Sequence, residues 1–543
     1  MTAGDEGLTY RRLRAPSGNG EVLLEPPLCQ TESLLAANRQ RLTGKSTLTG
    51  QSLDELRNLG RRELISAALA YTKAYRDVPN LWQGASHSEV PLFLSGHQPQ
   101  LFHPGVWIKN FILGGLAKKH GGIAVNLSVD NDVIKSASIR VPGGTFQTPV
   151  VGNISFDVNG PELPSEERTI LDPALLATFG QRAMEQLTPF VPDPLLRTFC
   201  PIVLEQARTR NNLGECLARA RHRLEADWGL ETLEVPQSTV CEFASFHQFV
   251  AELLRDLPRF VRLHNETLAE YRHVHRLRNL AHPIPDLAQQ DDWFEAPFWI
   301  WDRNNPRRRK LFARAVSRQN NQAVELSDRA GWQQVVSLTS PESLLELSQS
   351  GIKLRTRALT TTLFSRLFLS DLFIHGIGGA KYDQITDRLI VRFYGIQPPD
   401  FLVATATLKL PIAELKMAKL TVSQIDQTLW RLQHQPDQFF DDWTKASQTL
   451  PDAERWLAQK RRWLQTPVTS ENSRTYCHAI RDANSALQPF VIEIRNHLLQ
   501  QRDEAIKSSR RCELLGSREF AFCLHPAETL RELLLNARDL ASQ

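Results

Sequence analysis

Three short runs combine residue types that do chemistry. In SGHQPQLFHPGVWIKN, residues 95–110, two imidazoles, His97 and His103, stand with Gln98 among Gly96, Gly105, Pro99 and Pro104. Imidazoles in such a turn can donate hydrogen bonds to phosphoryl oxygens and stabilise charge that develops during group transfer; the plainer alternative is that they cap and pack the turn. In SVDNDVIKSAS, residues 128–138, Asp130 and Asp132 flank Asn131. Two carboxylates there can hold an amine, a ribose hydroxyl or a magnesium ion, or the run is an Asx-rich turn that caps a helix. Lys135 reads as a phosphate contact or as an ordinary surface lysine. In FIHGIGGAKYDQITDRL, residues 373–389, Gly376, Gly378 and Gly379 let backbone N–H groups approach an anion, with His375 and Lys381 beside them.

The elements that would position these runs follow from the apolar pattern. PLFLSG (91–96) and IAVNLSVD (123–130) are short apolar runs separated by a helix-length segment, a βαβ unit with a right-handed crossover. The expected fold class is α/β, with a Rossmann-like parallel sheet core, helical insertions and a C-terminal helical coiled coil. In such sheets a ligand lies beyond the carboxyl ends of the strands, against helix N-termini, and Pro104 suits the first turn of the following helix. One geometric expectation results: the three runs meet at a single cleft along that sheet edge.

Residues 1–90 read as a loose arm (1–30) followed by helices, with Leu34, Leu35, Leu53, Leu56, Leu64 and Ile65 at helical spacing. Residues 91–410 form the core, with a mostly helical insertion at about 165–280. DDWFEAPFWIWD and RKLFARAV suggest a strand hairpin; Trp299 and Trp301 on one strand face read as core packing or as a base-stacking surface. Residues 411–543 are helical, with a seam of Tyr476, Ile480, Ala483, Leu487, Val491, Ile494 and Leu498 and a kink expected at Pro489.

With 64 basic and 60 acidic residues in 543, the balance disfavours a dedicated nucleic-acid binder. The run PRRRK (306–310) reads as a solvated turn or, more sharply, as a phosphate contact. Seven scattered cysteines without a CxxC pair suit neither a disulfide framework nor a zinc ribbon. The opening residues lack an apolar h-region and no run reaches membrane-helix length, so a cytoplasmic protein without a membrane partner is expected. GxGxxG and Walker A patterns are absent. His97, His103, His375, Asp130 and Asp132 also compose a candidate zinc or iron set, without HExxH spacing; no dedicated metal site is expected.

Taken together, the runs resemble the bacillithiol biosynthesis cysteine-adding enzyme family. That family opens its core with TGQQ..LFxGP, similar to SGHQPQLFHPG here, where Gly96, Gln98, Leu101, Phe102 and Pro104 or Gly105 match. Its DHD-like run corresponds to Asp130, Asn131 and Asp132, and its GGP.E.AY to GIGGAKYDQITDRL, where Gly378, Gly379, Ala380 and Tyr382 match best. The likeness spans most of residues 90–510, although only these islands are specific. Departures are His97 for a glutamine, the additional His103, Asn131 for a histidine, and Lys381 in a motif that has lost its acid. Histidines in the first loop also look like the phosphate loop of nucleotidylyltransferases, without HxGH spacing.

The resemblance implies a ligase-type enzyme that joins L-cysteine to glucosaminyl malate, an amino-sugar conjugate, with ATP or ADP and magnesium as possible cofactors and a homodimer formed through the coiled coil. In that scheme Gly96, His97 and His103 cradle phosphate or developing charge. Asp130 and Asp132 hold the amine or sugar hydroxyls, and the glycine loop with Lys381 closes over the other substrate. Two alternatives remain open: nucleotidyl transfer to a small acid, and a non-catalytic helical pairing scaffold.

Overall fold

The computed structural model describes residues 8, 10, 13–43, 47–48, 51–78, 90–145, 148–279, 282–316, 322–340, 342–411, 421–440 and 451–543. It divides into two compact units. One holds Met1–Gly143, Val151–Pro411 and Arg518–Gln543; the other holds Gly144–Val150 and Ile412–Ser517.

The first unit is mixed α/β. Its strands β1 (Val22–Glu25), β2 (Leu92–His97), β3 (Ile123–Ser128), β4 (Leu233–Pro236), β10 (Leu372–His375) and β11 (Phe401–Ala406) form one sheet in the order β1-β11-β10-β2-β3-β4. All neighbours are parallel except β1, which runs antiparallel along β11. From β2 the chain moves outward through β3 to β4, then crosses to the other side of β2 for β10 and β11. β3 and β11 are buried along their whole length, as parallel strands covered on both faces are. Asp371 ties the starts of β2 and β10 together: it accepts from Leu92 N at 2.8 Å and pairs with Arg61 at 2.9 Å and Arg57 at 3.1 Å. Those arginines belong to α2 (Leu53–Lys73), which follows α1 (Thr31–Leu42), opens with a Ser52–Glu55 capping box and buries Leu56, Leu64 and Ile65 against the sheet.

After β2, α3 (Pro104–Lys119) begins at His103 as N-cap and is buried on almost every side. The C-terminal helix α14 (Ala527–Ser542) covers it; a Cβ on Gly115 would stand 2.3 Å from Arg538 O, so glycine sets the approach of the two helices. A second, antiparallel sheet contains β5 (Trp293–Asp302), β6 (Asn305–Ala315), β7 (Ala323–Ser327), β8 (Gln333–Ser337) and β9 (Ile352–Thr356), in the order β8-β7-β6-β5-β9. The expected hairpin is β5–β6.

Four readings are corrected. The arm over residues 1–30 supplies an edge strand, β1, because β11 offers it a free ladder. The stretch 165–280 is helical, with α4 (Pro173–Leu187), α5 (Leu196–Ala207), α6 (Leu213–Asp227), α7 (Ala244–Arg255) and α8 (Leu257–Val274), but β4 interrupts it as a strand of the central sheet. PRRRK is strand β6 rather than a solvated turn: Arg309 pairs with Asp302 and Asp328, Lys310 with Glu295, and Arg308 with Asp132. Finally, residues 518–543 leave the C-terminal helical part and join the first unit. Trp301 is buried, and Trp299 lies between the Arg308 and Arg357 guanidiniums at 4.8 and 4.2 Å, cation–π packing in place of a stacking platform.

The second unit contains α10 (Val422–His434), α11 (Pro451–Leu464), α12 (Ser473–Leu487) and α13 (Ile492–Leu515). α10 packs on α13 around Ile425, Leu432, Val491, Leu498 and Ala505, and α11 packs on α12. The helical seam breaks at Pro489 into a 3-10 turn, Gln488–Val491. Ala483, Leu487, Val491 and Leu498 of the seam are buried within this unit.

Candidate functional site

The carboxyl ends of β2 and β10, the neighbours from which the chain winds outward in opposite directions, open onto a cavity of about 690 Å³. Strand ends that diverge in this way leave a crevice for a ligand. Gly96, His97, Gln98 and His103 line it from one side; His375, Gly376, Gly378, Gly379 and Lys381 line it from the other. The histidine loop and the glycine loop therefore meet.

His97 ends β2 with its ring edge-on to Phe102, centroids 4.6 Å apart. Burial, reinforced by the charges of Lys109 and Arg221, holds its pKa well below the usual imidazole range, so the ring is neutral. His103 takes the capping role: its Nδ1 accepts from Gly105 N at 3.1 Å. That bond leaves the proton on Nε2, which faces Glu519 at 3.6 Å. Burial lowers its pKa as well.

His375 donates from Nε2 to Asp383 Oδ2 at 2.8 Å, and the same carboxylate receives Thr362 Oγ1 at 2.7 Å and the Arg366 guanidinium. Burial alone would raise the Asp383 pKa; Arg366 and His375 override it and hold the carboxyl below its ordinary value. Asp383 thereby fixes the ring, and Nδ1 lies beneath Gly379, whose Cβ would approach it to 2.8 Å. Above it begins α9 (Ile377–Leu389), N-capped by Gly376 without a side-chain bond, so its first N–H groups have no intrahelical partner. A Cβ on Gly376 or Gly378 would meet nothing within 4 Å, so these two glycines leave open space beside that helix end.

Sequence reasoning missed several lining residues. Lys109, one turn into α3, is only 4% exposed and donates to Gly96 O at 2.8 Å. Burial, with Arg221 nearby, pulls its pKa down to about 8. The signal was present: Lys109 and Asn110 interrupt a helix that is otherwise apolar up to Lys118 and Lys119 in its last turn. Arg518 and Glu519 return from the far end of the chain, with Arg518 donating to Thr405 Oγ1 at 3.0 Å. Among the described lining residues, Arg14, Lys109, Lys381 and Arg518 are cationic and Glu519 alone is acidic.

The acidic run behaves differently. Only Asp132 reaches a cavity, a neighbouring one of about 340 Å³ that shares His97 and Gln98 with the larger one and also includes Lys135, Ser136 and Ser138. Gln98 Nε2 donates to Asp132 Oδ2 at 3.2 Å, and Arg308 pairs with Oδ1 at 2.9 Å. Asp130 turns away and accepts from Ser238 N at 2.8 Å and Ser238 Oγ at 2.5 Å. Asn131 donates to Thr356 O and Oγ1, both at 3.0 Å. Asp130 and Asn131 line neither cavity, because their polar atoms bind the short helix Gln237–Val240 and β9. Tyr382 also misses the cavity: one residue past Lys381 the helix has turned by roughly 100°, and its ring meets Tyr271 and His282.

Among the described residues, no group of three His, Cys, Asp or Glu is placed to hold a metal ion. No helix among them is long and apolar enough to cross a membrane. No protein-family model matches the chain, and no curated protein matches it.

Proposed function

We propose that the protein is a carbon–nitrogen bond-forming enzyme of the ligase type, whose large cavity receives an anionic small molecule. The carrying observation is the convergence of four cationic side chains and an uncapped helix N-terminus on one cavity, beside the oriented His375 and the neutral His97. The strand order on either side of β2 supports reading the central sheet as a Rossmann-like core. The adjoining cavity, which shares His97 and Gln98 with the large one, suits a second substrate.

In the reading the resemblance favours, the substrates are cysteine and glucosaminyl malate. The amine attacks the cysteine carboxyl carbon, an amide bond forms, and the carboxyl oxygen leaves as water or, after adenylation, with AMP. Neutral His97 or His375 Nδ1 can take the proton that the amine loses. ATP or ADP would occupy the cationic cavity; the described residues form no three-ligand cage for magnesium, which would be held by the nucleotide's phosphates. A cytoplasmic homodimer belongs to the same proposal. The helical unit leaves Trp430, Leu464, Val468 and Leu499 exposed for a second copy, and a monomer by light scattering would remove that part.

Incubating the purified protein with both substrates, with and without ATP, and following the conjugate by mass spectrometry tests the activity. The expected product is the amide, with turnover at least a hundredfold lower in His97→Ala. Pyrophosphate release without amide would favour nucleotidyl transfer, and the absence of both would reject catalysis on these substrates.

A further inference from the structure

We infer that Lys109 is the anion anchor of the large cavity, its ammonium pairing with a carboxylate or phosphate oxygen of a substrate seated against the start of α9. This rests on the anionic-substrate reading above and deepens it by naming the residue that holds the charge. An ammonium has three N–H donors, and Lys109 commits one, to Gly96 O at 2.8 Å. No carboxylate pairs with it in the described structure, although it is 96% removed from solvent, by 4% exposure. Isolated buried charge is strongly unfavourable, so such a lysine is retained where a ligand supplies the counter-charge. It lines the cavity together with the glycine loop that presents the α9 N-terminus.

The other charged or titratable groups around Lys109 are His97 on β2, His103 at the head of α3 and His375 on β10. Lys381 lies on α9, Arg221 on α6, Arg14 on the N-terminal arm, and Arg518 and Glu519 on the returning segment. His97 and His103 are held neutral by burial, so neither supplies the positive charge at neutral pH.

Calorimetry of the full chain with L-malate and with inorganic pyrophosphate tests the inference and separates a carboxylate ligand from a phosphate one. At pH 7, Lys109→Met is expected to weaken the bound probe at least tenfold. On the wild-type chain, malate affinity is expected to fall as pH rises through about 8, where Lys109 loses its proton; this second readout stands even if the variant fails to fold. Equal affinity in Lys109→Met, or a flat wild-type malate profile across that range, would overturn the anchor while leaving the cavity an anion site. Binding of neither probe to the wild-type chain would remove the anionic-substrate reading as well.

Discussion

The loops that follow β2 and β3 leave the same edge of the same sheet, yet they are built for different ends. After β2, Gly96, His97 and Gln98 line open space, and Lys109 behind them keeps hydrogen-bonding capacity in reserve. After β3, Asp130 and Asn131 have their side chains filled by Ser238 and Thr356, and Asp132 is held by Gln98 and Arg308. A place at the carboxyl end of a strand is therefore not enough to make a ligand residue; what counts is a donor or acceptor left without a protein partner. The first loop serves the large cavity; in the second, Asp130 and Asn131 fasten the sheet to its neighbours, while Asp132 borders the adjoining cavity with both carboxylate oxygens already held.

This contrast predicts that removing a filled group costs stability, whereas removing an open one costs binding. The largest loss of stability is expected at Asp383, whose carboxylate is filled by Arg366, His375 and Thr362. Asp383→Ala leaves the buried Arg366 with less compensation, a change of about 3 kcal/mol by analogy with broken buried ion pairs. Urea denaturation measures it, and a loss below ~1 kcal/mol would break the rule that filled groups stabilise.

Lys109 should behave in the opposite sense. Its folded pKa of about 8 lies below the ordinary 10.5, so the folded state disfavours the ammonium. The penalty is complete below pH 8, shrinks as pH climbs from 8 to 10.5, and vanishes above that range. Lys109→Met should therefore stabilise the protein at pH 7 by about 2 kcal/mol, after allowing for the lost bond to Gly96 O, with the gain disappearing at high pH. A melting temperature lower than wild type at pH 7 would show that the lysine is a structural strut.

How much of this was legible in the sequence follows from the same distinction. Short apolar runs with clear boundaries, such as Leu92–His97 and Ile123–Ser128, carry their own signal. The glycines at 376, 378 and 379 and the histidine at 97 announce a loop built around space, because their types are unusual there. β4 was hidden because four residues within a helical stretch become a strand only when β3 offers its edge. Lys109 was hidden because a charge on a helix is ordinarily assigned to water, whereas here its ammonium turns to the end of β2 and bonds Gly96 O. Arg518 and Glu519 lie more than four hundred residues from His103 in the chain, a pairing no local pattern encodes. The role of Asp130 was misread because an acid–Asn–acid triplet looks alike whether it faces a ligand or a neighbouring helix.

Asp130 offers the finest test, because the expected effect on ligand affinity is close to nothing. Burial, aided by Glu166, raises its pKa to about 7, against an ordinary 3.8. A raised acid stabilises the fold at low pH and loses that contribution as pH rises from 3.8 through about 7. Asparagine preserves the geometry: its carbonyl accepts from Ser238 N, and its amide can donate to Ser238 Oγ, without a charge to desolvate. Asp130→Asn should thus lie within ~1 kcal/mol of wild type near pH 4 and become the more stable protein by a few kcal/mol as pH rises to 7. Malate or pyrophosphate affinity should stay within twofold. A tenfold loss of affinity in this variant would place the carboxylate in contact with ligand, and the division between the two loops would fail at the residue where it is drawn most sharply.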